Sequence, residues 1–424
     1  MNRCLLYFVL VLVTSCQKEL KVKKELELEI DKVDLEINRF DNFLFSINEG
    51  NVEDKSNEYF FNDSSFWYWY ESVLIQQSHF VNTDNIDSLL VSLAQHKDRR
   101  EVYDSISYLF EDFSSLKDDL DMAFSRFQSF FPNYQSNPVI TTVYSDFLYD
   151  VQVYYINDTS SGIAISLETF LGSGSKFYPP SFNGYMRKYM HKKYIVSKVM
   201  EAWFEYHFSD NLHGDRDLAS QIISQGKMLY FLDKMIPGTP LYDRFRFSKK
   251  DFKWIIKNEE VLWHRLVRDK KLFSAYTGEY DKYIQEGPDR LQLVDPKWLD
   301  DYNPFGWGRH VKLILSKNNM SFPANFPCVI GYNAVSSYMQ NNKVRLDELM
   351  TSTESSPLFF KKSKYRPGKD RVSSDSKFNH IAYFMYENIL YIVFVFVVFL
   401  LLFLQLKTSG ILVGIQRKYL KIKS

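Results

Sequence analysis

Apolar side chains between Phe66 and Phe131 recur at helical intervals. The clearest set, Leu120, Phe124, Phe127 and Phe131, stands at i, i+4, i+7 and i+11, with Pro132 closing the run. That spacing predicts one buried helix face. Ahead of it, the alternation of Leu35, Ile37 and Arg39 predicts a short strand at the start of the folded part. After it the period drops to two. Val139–Val143, Val151–Ile156 and Gly162–Leu167 are β-rich runs separated by polar turns such as Asn157-Asp158-Thr159-Ser160, and they predict a small antiparallel sheet. Helical periods then return, with Ile195, Val199, Ala202 and Tyr206 as one stripe and Leu218, Ile222, Leu229, Leu232 and Ile236 as the next, stopped by Pro237-Gly238. Ser248 opens a further helix, with Asp251 placed to reach back as in a capping box; its stripe is Phe252, Ile256, Glu259, Leu262 and Leu266. A late helix is expected over Gly331–Gln340. The fold class read from these periods is α+β, mostly helical.

Both ends of the chain carry membrane signals. Met1-Asn2-Arg3 is a positive start, Leu5–Val13 an apolar run, and Val13-Thr14-Ser15-Cys16 a lipobox, so residues 1–15 read as a lipoprotein signal peptide and Cys16 as the lipidated first residue of the mature chain. Ile389–Leu406 holds no charged side chain and is long enough to cross most of a hydrocarbon core about 30 Å thick. Lys407, Arg417, Lys418, Lys421 and Lys423 lie beyond it and place the carboxyl terminus in the cytoplasm. The expected organisation is a lipidated tether over 16–34, a periplasm-facing domain over 35–367, a linker over 368–388, a C-terminal transmembrane helix over 389–406 and a basic cytoplasmic tail over 407–424. The location it implies is the cell membrane, lipid-anchored with a C-terminal span. An inner membrane suits a spanning helix, because outer-membrane spans are closed barrels.

Composition narrows the partners. Lys plus Arg and Asp plus Glu are equal at 52 each, and a zero net charge gives no hint of a nucleic-acid partner. Aromatics reach 17% while Gly and Pro are scarce, so the exported part has the apolar surface to build a core. Once Cys4 leaves with the signal and Cys16 is acylated, Cys328 is the remaining thiol, and no intramolecular disulfide framework can form.

Three groups of residues, in order, resemble the gliding-motility lipoprotein GldB family of the Bacteroidota. They are Ile37-Asn38-Arg39-Phe40-Asp41; then Gln225-Gly226-Lys227-Met228-Leu229-Tyr230-Phe231-Leu232-Asp233, continuing to Asn258-Glu259-Glu260-Val261-Leu262-Trp263; then Ile330-Gly331-Tyr332 through Tyr338-Met339, ending at Ser363-Lys364-Tyr365-Arg366-Pro367. The resemblance spans residues 16 to 367 and implies an accessory role in surface gliding and its envelope secretion system. The partners it implies are gliding-motility or secretion machinery proteins of the envelope, and the membrane. The chain departs from the family by its added linker and spanning helix. It also reads Pro327-Cys328-Val329-Ile330 where an arginine-containing run is more typical, so no role of that arginine transfers.

Catalytic chemistry finds little support. A sheet followed by helices, one of which carries a Gly beside a polar residue, is the layout of zinc metallopeptidases, which need two His one turn apart with a Glu between them. The 8 His stand at positions 79, 96, 191, 207, 213, 264, 310 and 380, with no pair three to five apart, and Gln225 occupies the place of a third-ligand Glu. His207 and His213 with Asp210 and Asp215 read as polar loop residues. No Gly-x-Ser-x-Gly elbow is present, and Gly172-Ser173-Gly174-Ser175 lacks the Gly-Lys-Ser/Thr ending of a phosphate loop. Gln225 and Glu259 fall on otherwise apolar stripes and form a possible buried polar site, read as an ion pair or amide bond that fixes helix register. Glu201 and Glu205, beside Lys198, read as a solvated salt bridge. No metal, cofactor or enzyme activity is expected. The alternative is a divergent hydrolase on a metallopeptidase-like scaffold, working through a buried carboxylate, Glu259 or Glu201.

Overall fold

The computed structural model describes residues 31–77, 86–134, 137–157, 160–209, 217–268, 272–273, 283–284, 291–292 and 321–368. Cys16 and its signal peptide, the linker beyond Gly368, the 389–406 span and the basic tail lie outside these residues, as do Asp210, His213 and Asp215. Among the described residues no helix is long and apolar enough to cross a membrane.

Strand β1 (Ile37–Arg39) runs straight into α1 (Phe40–Leu44), and five helices follow: α2 (Val52–Asn62), α3 (Ser64–Gln77), α4 (Ile86–Gln95), α5 (Lys97–Leu109) and α6 (Ser114–Phe130). Next come β2 (Val139–Val143), β3 (Val151–Asn157) and β4 (Ser160–Ser166), and a 3-10 turn over Leu167–Phe170. The second half comprises α7 (Gly184–Arg187), α8 (Ile195–Phe208), α9 (Leu218–Met235), α10 (Leu241–Arg244) and α11 (Lys249–Arg268). After the two short strands β5 (Leu291–Gln292) and β6 (Ser321–Phe322), it ends with α12 (Pro327–Asn341), α13 (Leu346–Thr351) and α14 (Ser356–Ser363). A mostly helical chain with one small sheet is the α+β class the periods indicated.

The sheet itself corrects the expectation of antiparallel pairing. Its order is β1-β2-β4-β3, and both the β1–β2 and β2–β4 pairs are parallel; only the β3–β4 hairpin is antiparallel. The reason lies in the connections. The helices α1 to α6 carry the chain from β1 back to the same end of the sheet, a crossover that makes β2 parallel to β1. The segment after β2 then leads to the outer edge, where β3 forms, and the hairpin folds β4 inward beside β2, with Ile140 opposite Ile163. Strand β4, central and flanked on both sides, is buried along almost its whole length.

Helix α6 packs as its spacing predicts: Leu120, Phe124, Phe127 and Phe131 are all buried. Phe124 meets Trp203 of α8 at 5.5 Å, and Phe131 meets Phe208 at 5.3 Å and Phe231 of α9 at 5.8 Å, so three helices share one aromatic core. The stripe on α8 differs from the expected one. Tyr206 is exposed, and the buried face runs through Ile195, Val199, Met200, Trp203, Phe204 and Phe208, because α8 is covered from two sides and its apolar arc is wider than one row. On α11 the fully buried row is Ile255, Glu259, Leu262 and Leu266, with Ile256 half-buried. Ser248 caps that helix, accepting from the Asp251 amide at 3.0 Å and donating to the Asp251 carboxylate at 2.7 Å. Helix α12 begins earlier than its apolar pattern suggested, with Pro327 in its first turn, where a missing N–H costs nothing.

Candidate functional site

Helices α9 and α12 cross with their backbones in contact. A Cβ added to Gly226 would sit 2.3 Å from the Gly331 carbonyl carbon, and one added to Gly331 would sit 2.0 Å from the carbonyl oxygen of Ile222. This crossing brings α12 alongside α11, and there Glu259, with 0% of its surface exposed, receives the amide of Asn333 at 2.6 Å from α12. The hydroxyl of Tyr365 donates to the same oxygen at 2.6 Å, and the backbone N–H of Gly368 donates to the other at 3.2 Å. Trp263, one turn further along α11, packs its ring 5.4 Å from Tyr365 and 5.1 Å from Phe360, holding the phenol in place. Gly368 adopts φ +72°, a left-handed backbone that favours glycine. Glu259 is therefore a buried carboxyl that fastens the last described turn of the chain to two core helices.

Gln225 does not join it. Its Oε1 is buried with no hydrogen-bond partner, and the donors to Glu259 come from α12 and the 365–368 segment. Lys227, two residues on, donates to the Ser352 carbonyl at 2.7 Å, and burial pushes its pKa down to about 8. Sequence reasoning brought Gln225 and Glu259 together because both interrupt apolar stripes; the structure gives the interruption at Glu259 a set of partners and leaves Gln225 outside it.

A second buried carboxyl went unnoticed in the sequence. Glu168, in the turn after β4, accepts at one oxygen from the Ser145 amide at 2.8 Å, the Ser145 hydroxyl at 2.9 Å and the Phe147 amide at 3.2 Å. Its other oxygen is buried without a partner. The loop that wraps it contains two successive non-glycine residues in the left-handed region, Asp146 at φ 54° and Phe147 at φ 64°, and this turn brings the Phe147 N–H onto the carboxyl beside that of Ser145. Asp146 is pinned from outside by Arg99 at 2.8 Å and by the Tyr144 hydroxyl at 3.0 Å. Burial raises the Glu168 pKa to about 7, against the lowering effect of its donors. At the end of β1, Asp41 is likewise buried, held bidentately by Arg39 at 2.9 and 2.7 Å and by the Thr142 hydroxyl. The carboxyl ends of β1 and β4 thus each carry a buried acid, the position where ligands bind in open parallel sheets, and here each is engaged by the protein's own groups. A lone Glu directly after a buried strand was the available signal.

The remaining candidates separate. His207 lies half-buried with its ring 4.4 Å from Trp203 and 4.9 Å from Tyr134; burial pushes its pKa down to about 4, and it is neutral at ordinary pH. Its Nε2 and the Trp203 indole N–H, one turn apart on α8, are both buried without partners. Among the described residues no group of three His, Cys, Asp or Glu is placed to hold a metal ion. Glu201 is ion-paired to Arg246, with Lys198 at 3.9 Å, and Lys198 also reaches Asp150 at 2.9 Å. Glu205, at the surface one turn from Glu201, has its pKa raised by partial desolvation and by that neighbour. Cys328 is buried and takes part in no disulfide. Gly172 to Ser175 form a turn after β4, with Gly172 at φ 96°.

A family model described as gliding motility protein GldB matches residues 21–298, more than half of the 424-residue chain. The chain belongs to the GldB family. No curated protein and no solved structure matches it significantly. The match to GldB is shorter than the 16–367 span of the resemblance: Ile37–Asp41 and the Gln225–Trp263 segments fall inside it, whereas Ile330–Met339 and Ser363–Pro367 fall beyond it. In the structure those outer segments return to the GldB-matching part. Gly331 lies on Gly226, Asn333 bonds Glu259, and Tyr365 bonds Glu259 and packs on Trp263. The Glu259 cluster therefore joins α11, inside the GldB match, to the chain end outside it.

Proposed function

We propose that this protein supports gliding motility and its associated secretion apparatus through protein–protein contacts in the cell envelope, without catalysing a reaction. Membership of the GldB family over residues 21–298 carries this reading. The carboxylates on which a hydrolase would depend add support: Glu259 is fully buried under three donors, and Glu201 is tied to Arg246. Neither presents an open carboxylate to a substrate. In this reading lipidated Cys16 and the 389–406 span hold the domain on the periplasmic side of the membrane, where its partners are envelope components of the gliding and secretion machinery.

A clean deletion, complemented by the full chain, tests it. Loss of surface spreading together with loss of export of surface adhesins is expected, and affinity purification from membranes should recover motility or secretion proteins. Normal spreading and export in the deletion strain would refute the proposal.

A further inference from the structure

Between the 3-10 turn after β4 and the start of α8 the chain makes an excursion that closes on itself. Leu171 bridges His191, the Gly172 amide donates to the Met190 carbonyl at 2.8 Å, and the Tyr178 hydroxyl reaches the carbonyls of Met190 at 3.0 Å and Thr169 at 3.2 Å. Inside it, Arg187 donates to the carbonyls of Phe182 at 2.7 Å and Pro179 at 3.2 Å and lies over the Tyr178 ring. It is an Ω-like loop packed by its own side chains.

Its charge is one-sided in a chain that is neutral as a whole. No Asp or Glu occurs between Glu168 and Glu201, while Lys176, Arg187, Lys188, Lys192 and Lys193 all fall in the loop. Three of these lysines stand over aromatic rings of their neighbours: Lys176 over Phe177 at 4.9 Å, Lys188 over Tyr189 at 5.3 Å and Lys193 over Tyr194 at 4.5 Å. Met186, next to Arg187, is 39% exposed. Acids from other elements do face it: Glu101 lies 3.6 Å from Lys176, Asp243 lies 3.1 Å from Lys193, and Asp112 senses Lys192. At the surface, solvent and salt screen such pairs, so another anion can take the acid's place.

We propose that residues 171–193 form a docking surface for anionic lipid headgroups, on which the domain rests. The proposal relies on the reading of the domain as tethered to a bilayer, which keeps this loop within reach of lipid. Exposed lysines beside an exposed methionine suit a membrane–water boundary: the cations meet phosphate while the Met186 thioether enters the edge of the acyl region, and the rings beneath the lysines stay packed on the domain, Tyr194 buried and Tyr189 bonded to the Arg246 carbonyl.

The full chain, reconstituted in vesicles and confirmed by flotation to be inserted, is labelled with an environment-sensitive fluorophore at Met186→Cys, and the unsubstituted chain labelled in parallel sets the background. With phosphatidylglycerol present the emission should shift to the blue, and brominated lipid should quench it at least about twofold more than in phosphatidylcholine alone. Added salt and the Lys188→Glu/Lys192→Glu pair should each abolish the difference. Equal emission in both vesicle types, or a difference that survives charge reversal and salt, would overturn it. Thermal unfolding checks the fold of the double variant; if it does not fold, the salt titration decides alone. None of these readouts involves motility, so docking can fail while the gliding reading stands.

Discussion

At Glu168 the carboxyl keeps its proton up to about pH 7 in the fold, from an ordinary value of 4.5, because burial penalises the charged form more than Ser145 and Phe147 can offset. The sign of the pH effect follows. Between these values the folded chain binds more protons at this site than the unfolded chain, so the stability it confers is complete below the unfolded pKa and is lost as pH rises through about 7. The shift corresponds to about 3 kcal/mol at most. Glu168→Gln keeps the acceptor without the charge, so its stability relative to the parent should rise by up to that amount between pH 5 and pH 8. Denaturant unfolding of the detergent-solubilised chain checks it; a gap that does not change with pH would sink the idea. Glu259 takes its donors from α12 and the chain end. Glu259→Ala leaves the buried Asn333 amide and the Tyr365 hydroxyl without their acceptor and should cost about 2–4 kcal/mol. Hydrogen exchange should then show residues 363–368 losing protection first, and unchanged exchange there would contradict the clamp. Neither environment is written at the residue itself: Glu259 was visible as a break in an apolar stripe, while Glu168 stands alone after a strand, and the loop that wraps it comes from a strand two earlier in the chain.

Helices and strands were largely legible from period. The α6 face was correct to the residue, and Ser248 with Asp251 marked the start of α11, because caps and i, i+4 spacing are local properties. What failed depended on neighbours. The α8 row drifted to Tyr206, since a helix covered on two sides has a wide apolar arc and no unique stripe. Parallel pairing of β1, β2 and β4 was missed because alternation specifies a strand, not its direction, and direction is set by the connections, a helical crossover of about a hundred residues between β1 and β2 and the excursion through β3 between β2 and β4. The close crossing of α9 and α12 is a property of two elements together. Either Gly226→Ala or Gly331→Ala drives a methyl into opposing backbone and should lower stability by about 1–3 kcal/mol. Thermal unfolding of each variant tests this, and a midpoint equal to the parent's in both would contradict the contact.

At the scale of the chain, the segments Asn258–Trp263, Ile330–Met339 and Ser363–Pro367 that suggested the GldB family meet around Glu259, Gln225–Asp233 joins them through the Gly226–Gly331 contact, and Ile37–Asp41 sits at the sheet. Periodicity, caps and motif order are carried by near neighbours along the chain, and from them alone came the α+β class, the places of β1–β4 and of α6, α8, α9 and α11, the family and the lack of a zincin His pair. Only the tertiary structure decided the mixed sheet, the partners of Glu259, the enclosure of Glu168 and the self-packed basic loop. Each of these joins residues far apart in sequence, and their energies come from burial and hydrogen bonds that exist only once the chain has brought those residues together.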